Sequence, residues 1–159
     1  MTYYSGGSDS YGSTDTLGAN KIFGGKVVVS SGTTIVSIQF KLQTAGDRDI
    51  RVALYEECAD GVACSKLDTG CTIGGGSLTT GWNSCTISYV ITSPATYVIL
   101  VDQNSNGSTD SVLYQNASSG SWYWDSSFAY AEFPPADTTF SIPGSMGTGA
   151  VGAYAITSQ

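Results

Sequence analysis

Val36-Ser37-Ile38-Gln39-Phe40-Lys41-Leu42-Gln43 is the stretch that decides the fold. Val36, Ile38, Phe40 and Leu42 alternate with Ser37, Gln39, Lys41 and Gln43, so an extended chain puts apolar side chains on one face and polar ones on the other. Ile50-Arg51-Val52-Ala53-Leu54-Tyr55 repeats the pattern. Thr44-Ala45-Gly46-Asp47-Arg48 between them has turn composition, so the two strands are expected to pair as a hairpin. The predicted inward set is Val36, Ile38, Phe40, Leu42, Ile50, Val52, Leu54, Ile99 and Val101.

Further strands are predicted on either side. Residues 22–30 are β-branched and apolar after Gly24-Gly25. Residues 83–91 place Cys85, Ile87, Tyr89 and Ile91 on one face. Residues 97–101 are apolar on both faces, the mark of a central strand. Residues 111–115, 122–130, 138–142 and 150–157 complete the set. Short strands separated by Gly, Pro and Asn turns, with no 3.6-residue apolar period, predict an all-β antiparallel β-sandwich or jelly roll with little or no helix.

Composition agrees. The chain has 159 residues, enough for one domain, with 23 Ser, 18 Thr and 20 Gly. Charged residues are 12%, about half the usual share. Hydrophobic residues at 41% are too many for a disordered chain. Residues 1–20 are polar and Gly/Ser-rich and read as an N-terminal arm or edge segment, and 21–159 as a single β-sandwich domain. Met1-Thr2-Tyr3-Tyr4-Ser5-Gly6-Gly7 lacks the basic and apolar regions of a signal peptide, so none is expected there.

Several chemistries are excluded. With no His, no Ser–His–Asp triad, Cys–His pair or His-ligated metal exists in the chain. Six Lys and Arg against 13 Asp and Glu give a net charge of −7, so nucleic acid is not an expected partner. No apolar run approaches ~18 residues, so no membrane-spanning helix is expected. Glu56 and Glu57 are adjacent and face opposite ways on a strand, so they are not read as a catalytic pair.

Cys58, Cys64, Cys71 and Cys85 fall within one Gly-rich stretch. An even, clustered set predicts two disulfides and an oxidising destination. Four cysteines allow three connectivities. The preferred one is Cys58–Cys64, closing a loop at 57–65, with Cys71–Cys85 clamping Gly74-Gly75-Gly76. The alternatives are free thiols and zinc, but a four-cysteine zinc site shows closer pairs than this spacing offers.

The middle of the chain resembles a recurrent sandwich module of bacterial extracellular proteins and phage structural proteins. The matching residues are Thr34-Ile35-Val36-Ser37-Ile38-Gln39-Phe40, Asp49-Ile50-Arg51-Val52-Ala53-Leu54-Tyr55, the turn Gly81-Trp82-Asn83-Ser84-Cys85-Thr86-Ile87, and Pro94-Ala95-Thr96-Tyr97-Val98-Ile99-Leu100-Val101-Asp102. The resemblance covers about half the chain and implies a jelly-roll-like fold. It brings no catalytic signature.

Two local motifs carry candidate chemistry. Asp102-Gln103-Asn104-Ser105-Asn106-Gly107-Ser108-Thr109-Asp110 reads as the first half of a calcium loop, with Asp102, Asn104, Asn106 and Asp110 as oxygen ligands. Position 12 is Leu113 instead of Glu, and the alternative is an Asn/Gly turn capping its own backbone, with no cofactor. Trp122-Tyr123-Trp124 places Trp122 and Trp124 on one strand face, a sugar-stacking platform if exposed and core if buried.

The function expected from these residues is a non-enzymatic structural or assembly protein, most of all a phage capsid decoration (cement) protein or similar virion or extracellular-assembly subunit. Its partner would be copies of itself or a capsid shell protein, and its location a virion surface or the extracellular space. Tyr3, Tyr4, Tyr11 and Leu17 are the expected assembly contacts, because a polar arm with few apolar residues needs a neighbour to order it. The alternative is a carbohydrate-binding module using Trp122 and Trp124.

Overall fold

Fifteen strands are defined in the computed structural model, which describes residues 1–4, 13–19, 21–29, 34–59, 62–68, 70–92, 95–116, 121–125, 130, 140–141, 147–148, 151–152 and 154–159. They are β1 (Thr2–Tyr4), β2 (Ser13–Thr16), β3 (Ile22–Val29), β4 (Thr34–Thr44), β5 (Ile50–Ala59), β6 (Val62–Asp68), β7 (Thr72–Ile73), β8 (Gly81–Val90), β9 (Ala95–Gln103), β10 (Val112–Asn116), β11 (Ser121–Asp125), β12 (Phe140–Ser141), β13 (Gly147–Thr148), β14 (Val151–Gly152) and β15 (Tyr154–Ser158). All pairings are antiparallel, and the described residues include no α-helix. No described helix is long and apolar enough to cross a membrane.

The strands form two sheets. A seven-stranded sheet runs β1-β15-β4-β10-β14, with β8 on β4 and β2 on β10. An eight-stranded sheet runs β12-β6-β5-β9-β3-β11-β13, with β7 on β5. Their apolar faces meet in one core, so the chain is an all-β sandwich.

β4 and β5 do not form the expected hairpin. β4 lies in the seven-stranded sheet and β5 in the eight-stranded sheet, so residues 45–49 carry the chain from one layer to the other. Both alternations were legible. A short polar turn with an alternating strand on each side fits a crossover between layers as well as a hairpin. Ile38, Phe40 and Leu42 then face Ile50, Val52 and Leu54 across the core, and all six are fully buried.

Val36 is a second correction. It is half-buried and outside the core, while Ile35 is fully buried. The pairing of β4 with β8 shifts register between Ile35 and Ser37, and the pairing with β15 shifts between Thr157 and Ser158. An extra residue in one strand breaks the period-two rule, so Ile35 takes the inward place assigned to Val36.

The central strand was read correctly. β9 lies between β5 and β3, and Val98, Ile99, Leu100 and Val101 are all fully buried. Tyr55, Ala53 and Ile22, which flank β9 on its outer side, are fully buried too. The eight-stranded sheet is therefore covered on both faces along the middle of β9, while Val28 on the outer side of β3 is exposed, and the outer face of the seven-stranded sheet is partly open.

Of the stretch 57–65, expected as a disulfide loop, residues 57–59 belong to β5 and 62–65 to β6, which pair with each other. Its register is irregular around Cys58 and Cys64, whose side chains lie outside the described residues. The expected Cys71–Cys85 bond is present, with Cα atoms 5.6 Å apart. Cys71 sits just before β7, where its carbonyl accepts the Val52 N–H at 2.9 Å, and Cys85 is in β8, so the bond ties the two sheets together through the core. The two cysteines are 14 residues apart, and a loop of that size corresponds to about 3 kcal/mol in the chain-entropy picture. The double variant Cys71→Ala/Cys85→Ala is expected to lose about that much in urea unfolding. A loss of only a few tenths of a kcal/mol would contradict a clamping role.

Candidate functional site

The N-terminal residues are held by the chain itself where they are described. Thr2, Tyr3 and Tyr4 pair with Thr157, Ile156 and Ala155. The N-terminal ammonium donates to the Ser158 carbonyl at 2.7 Å, and the Ser158 N–H donates to the Met1 carbonyl at 2.8 Å. Leu17, expected as an assembly contact, is fully buried in the chain's own core, and its N–H bonds to Ser111 at 2.9 Å. Tyr3 packs on the same core, and Tyr11 lies outside the described residues. Composition counted too few anchors here because it missed that strand pairing carries Leu17 and Tyr3 inward.

Tyr4 points the other way. Paired residues share a face, so two rows of outward side chains cross four strands in register. One row is Tyr4, Ala155, Gln39 and Ser84, on β1, β15, β4 and β8. The next is Thr2, Thr157, Ser37 and Thr86 on the same strands. Lys41 and Trp82, also paired, stand beyond the first row. All except Ala155 are half-buried or exposed.

The aromatic end is a built cluster. The rings of Tyr4 and Trp82 lie 6.0 Å apart at an interplanar angle of 47°. The Lys41 ammonium is 5.6 Å from the Trp82 ring centre and 5.5 Å from that of Tyr114 on β10. Cation–π attraction and the packing of the lysine stem hold the rings in place. Asn83, buried behind them, fixes the start of β8: its amide donates to the Thr79 and Gly81 carbonyls at 2.8 and 3.1 Å and accepts from the Thr79 N–H at 3.0 Å. Sequence reading saw Trp82 only as a turn residue and Tyr4 only as an arm residue. Nothing local signals their meeting, because β1 and β8 are brought together only by the sheet order β1-β15-β4 with β8 beyond.

Trp122 and Trp124, the platform predicted from sequence, are on β11, paired with Gly25 and Phe23 of β3 in the eight-stranded sheet. Their side chains lie outside the described residues.

The candidate calcium ligands are engaged with different partners. Asp102 is fully buried on β9, opposite Arg51 and Ile22. The Asn104 side-chain oxygen accepts the Ser105 N–H at 2.7 Å. Asn106 donates to Asp49 at 2.8 Å and accepts the Asp49 N–H at 3.1 Å. Asp110 takes Arg48 and the Gln103 amide, each at 2.9 Å. Among the described residues no group of three or more Cys, Asp or Glu side chains is arranged to hold a metal ion.

The 104–111 loop fastens the layer crossover. Asp47 Oδ1 accepts the Ser108 and Thr109 N–H groups at 2.8 and 2.7 Å, and the Asp47 N–H donates to the Thr109 carbonyl at 3.1 Å. Asp49 accepts the Gly75 N–H at 2.9 Å. Gly107 has a φ of +77°, and a Cβ there would meet Asp47 Oδ1 at 2.6 Å, so the loop needs glycine at this position.

Backbone hydrogen bonds from Thr109 and Ser108 hold the Asp47 carboxyl below its ordinary value of 3.8. A depressed folded-state value means that these bonds stabilise the fold above the ordinary value and lose effect as pH falls through the folded one. The melting-temperature gap between the protein and Asp47→Ala is therefore expected to be widest at neutral pH and to close below about pH 3.8. A gap that stays constant into acid would contradict this.

No protein-family model and no curated protein matches the sequence. Two of the solved structures that share its fold are of Cwp84. One contains the cysteine protease and lectin-like domains of Cwp84, a surface-layer-associated protein of Clostridium difficile, with a TM-score of 0.53 and 14% identity over 92% of this chain. The other is a clostridial cysteine protease Cwp84 after propeptide cleavage, with a TM-score of 0.53 and 16% identity over 91% of this chain. This chain spans 36% and 37% of theirs, and at such identity the likeness is one of fold.

Proposed function

We propose that this chain is a non-enzymatic, extracellular carbohydrate-binding module, with its contact surface on the outer face of the seven-stranded sheet. The observation that carries the reading is the cluster of Trp82, Tyr4, Tyr114 and Lys41 on the face that is left partly open. Half-exposed rings held in place by neighbours give sugar rings a flat apolar surface at low entropic cost. Gln39, Ser84 and the hydroxyls beside them supply hydrogen-bonding partners for sugar hydroxyls.

Two further points support it. The portion of Cwp84 that the chain matches is the lectin-like one. A disulfide across the core suits an oxidising, extracellular setting. Two of the four expected assembly contacts, Leu17 and Tyr3, pack on the chain's own core and so are not offered to a neighbour.

The test is binding to a panel of immobilised polysaccharides. Trp82→Ala is expected to weaken binding at least about tenfold, as loss of a central aromatic contact does. Trp122→Ala is expected to leave it unchanged. Failure of the protein to bind any polysaccharide, or equal binding by Trp82→Ala, would contradict the proposal. Loss of binding in Trp122→Ala alone would move the site to the eight-stranded sheet.

A further inference from the structure

We infer that the occupant of this face is an uncharged, extended polysaccharide that lies across the strands from β1 to β8 and is bound along its length. This rests on the carbohydrate reading above and adds the direction, the reach and the charge of the ligand.

Reach and direction come from the register. Tyr4, Ala155, Gln39 and Ser84 form one straight row, and Thr2, Thr157, Ser37 and Thr86 the next. Each row crosses four strands, hence three interstrand spacings, or about 14 Å. Tyr4 opens the first row on β1, Trp82 lies on β8 beside its other side, and their rings, 6.0 Å apart, lean toward each other over the strands between. The side chains between are small or flexible, and the smallest, Ala155, is fully buried between its taller neighbours. Such a surface is shallow, so it fits a chain passing over it better than a sugar terminus in a pocket. The hydroxyls of Thr2, Thr157, Ser37 and Thr86 offer donors and acceptors at strand spacing along one side of that path.

Charge identifies the kind of chain. The protein carries 13 acidic residues, yet the described ones lie elsewhere. Asp47, Asp49 and Asp110 belong to the loops at one end, Glu56, Glu57, Asp68, Asp102 and Asp125 to strands of the other sheet. Asp15 of β2 pairs with the inward-facing Leu113, which puts it on the opposite side of the sheet. Among the described residues the one cation on the face is Lys41, which is already engaged by Trp82 and Tyr114. Among the described residues this face carries no carboxylate, which on a chain of net charge −7 gives a neutral polymer a place to land, while the surrounding negative field opposes an anionic one.

The test compares a neutral β-glucan, its disaccharide and an oligosaccharide long enough to span about 14 Å, with a polyuronate as the charged control. Affinity for the neutral ligands is expected to rise about tenfold or more from disaccharide to the spanning oligosaccharide, to change little with salt, and to exceed affinity for the polyuronate. Thr86→Lys, an exposed change on β8 at the edge of the second row, is expected to cut binding of the spanning oligosaccharide more than binding of the disaccharide. Trp82-dependent binding with no length dependence, or stronger binding of the polyuronate, would overturn this inference and leave the carbohydrate reading intact. Binding that ignores Trp82 altogether would overturn both. Self-association abolished by Thr86→Lys, with no glycan bound, would assign the face to a second copy.

Discussion

The open face depends on one constraint, the fixed register of β4 between β15 on one edge and β8 on the other. Because strand side chains alternate, β4 does two jobs at once. Ile38, Phe40 and Leu42 fill the core, and Ser37, Gln39 and Lys41 build the outer surface. A slip of one residue would exchange these sets, burying a lysine and exposing a phenylalanine. The energy that fixes the core therefore also fixes the surface, and the rows on β1, β15, β4 and β8 line up with it.

Two fastenings hold that strand against its partners. The Cys71–Cys85 bond joins the sheets through the middle, with Cys85 paired opposite Ile38. At one end, Asp47 and Asp49 lash the β4–β5 crossover to the 104–111 loop and to Gly75. The residues that looked most like a metal site thus stabilise a corner of the sandwich. Asn, Asp and Gly at such spacing suit both jobs, because both need short oxygen-bearing side chains and a turn at positive φ.

Sequence alone carried the fold class, most of the strands, the central position of β9 and the Cys71–Cys85 bond. Each of these follows from local periodicity or from cysteine spacing. It did not carry the partner of each strand. Residues 45–49 read equally as a hairpin turn or a crossover, and the bulge that turns Ile35 inward leaves no mark in the alternation. The aromatic cluster was hidden for the same reason. Trp82 and Tyr4 are far apart in the chain, and only the order of strands sets them 6.0 Å from each other. Trp122 and Trp124 drew attention because they are close in sequence, the only kind of closeness that a sequence displays.

The central claim is that the ligand meets the outward residues of the seven-stranded sheet, and residue-resolved NMR during titration with a neutral polysaccharide fragment tests it most directly. The account predicts shifts at the Trp82 indole, Tyr4, Gln39, Ser84 and Thr86, with Ile38, Phe40 and the 104–111 loop unchanged. Shifts confined to Trp122, Trp124 and β3, or to the 104–111 loop, would contradict it.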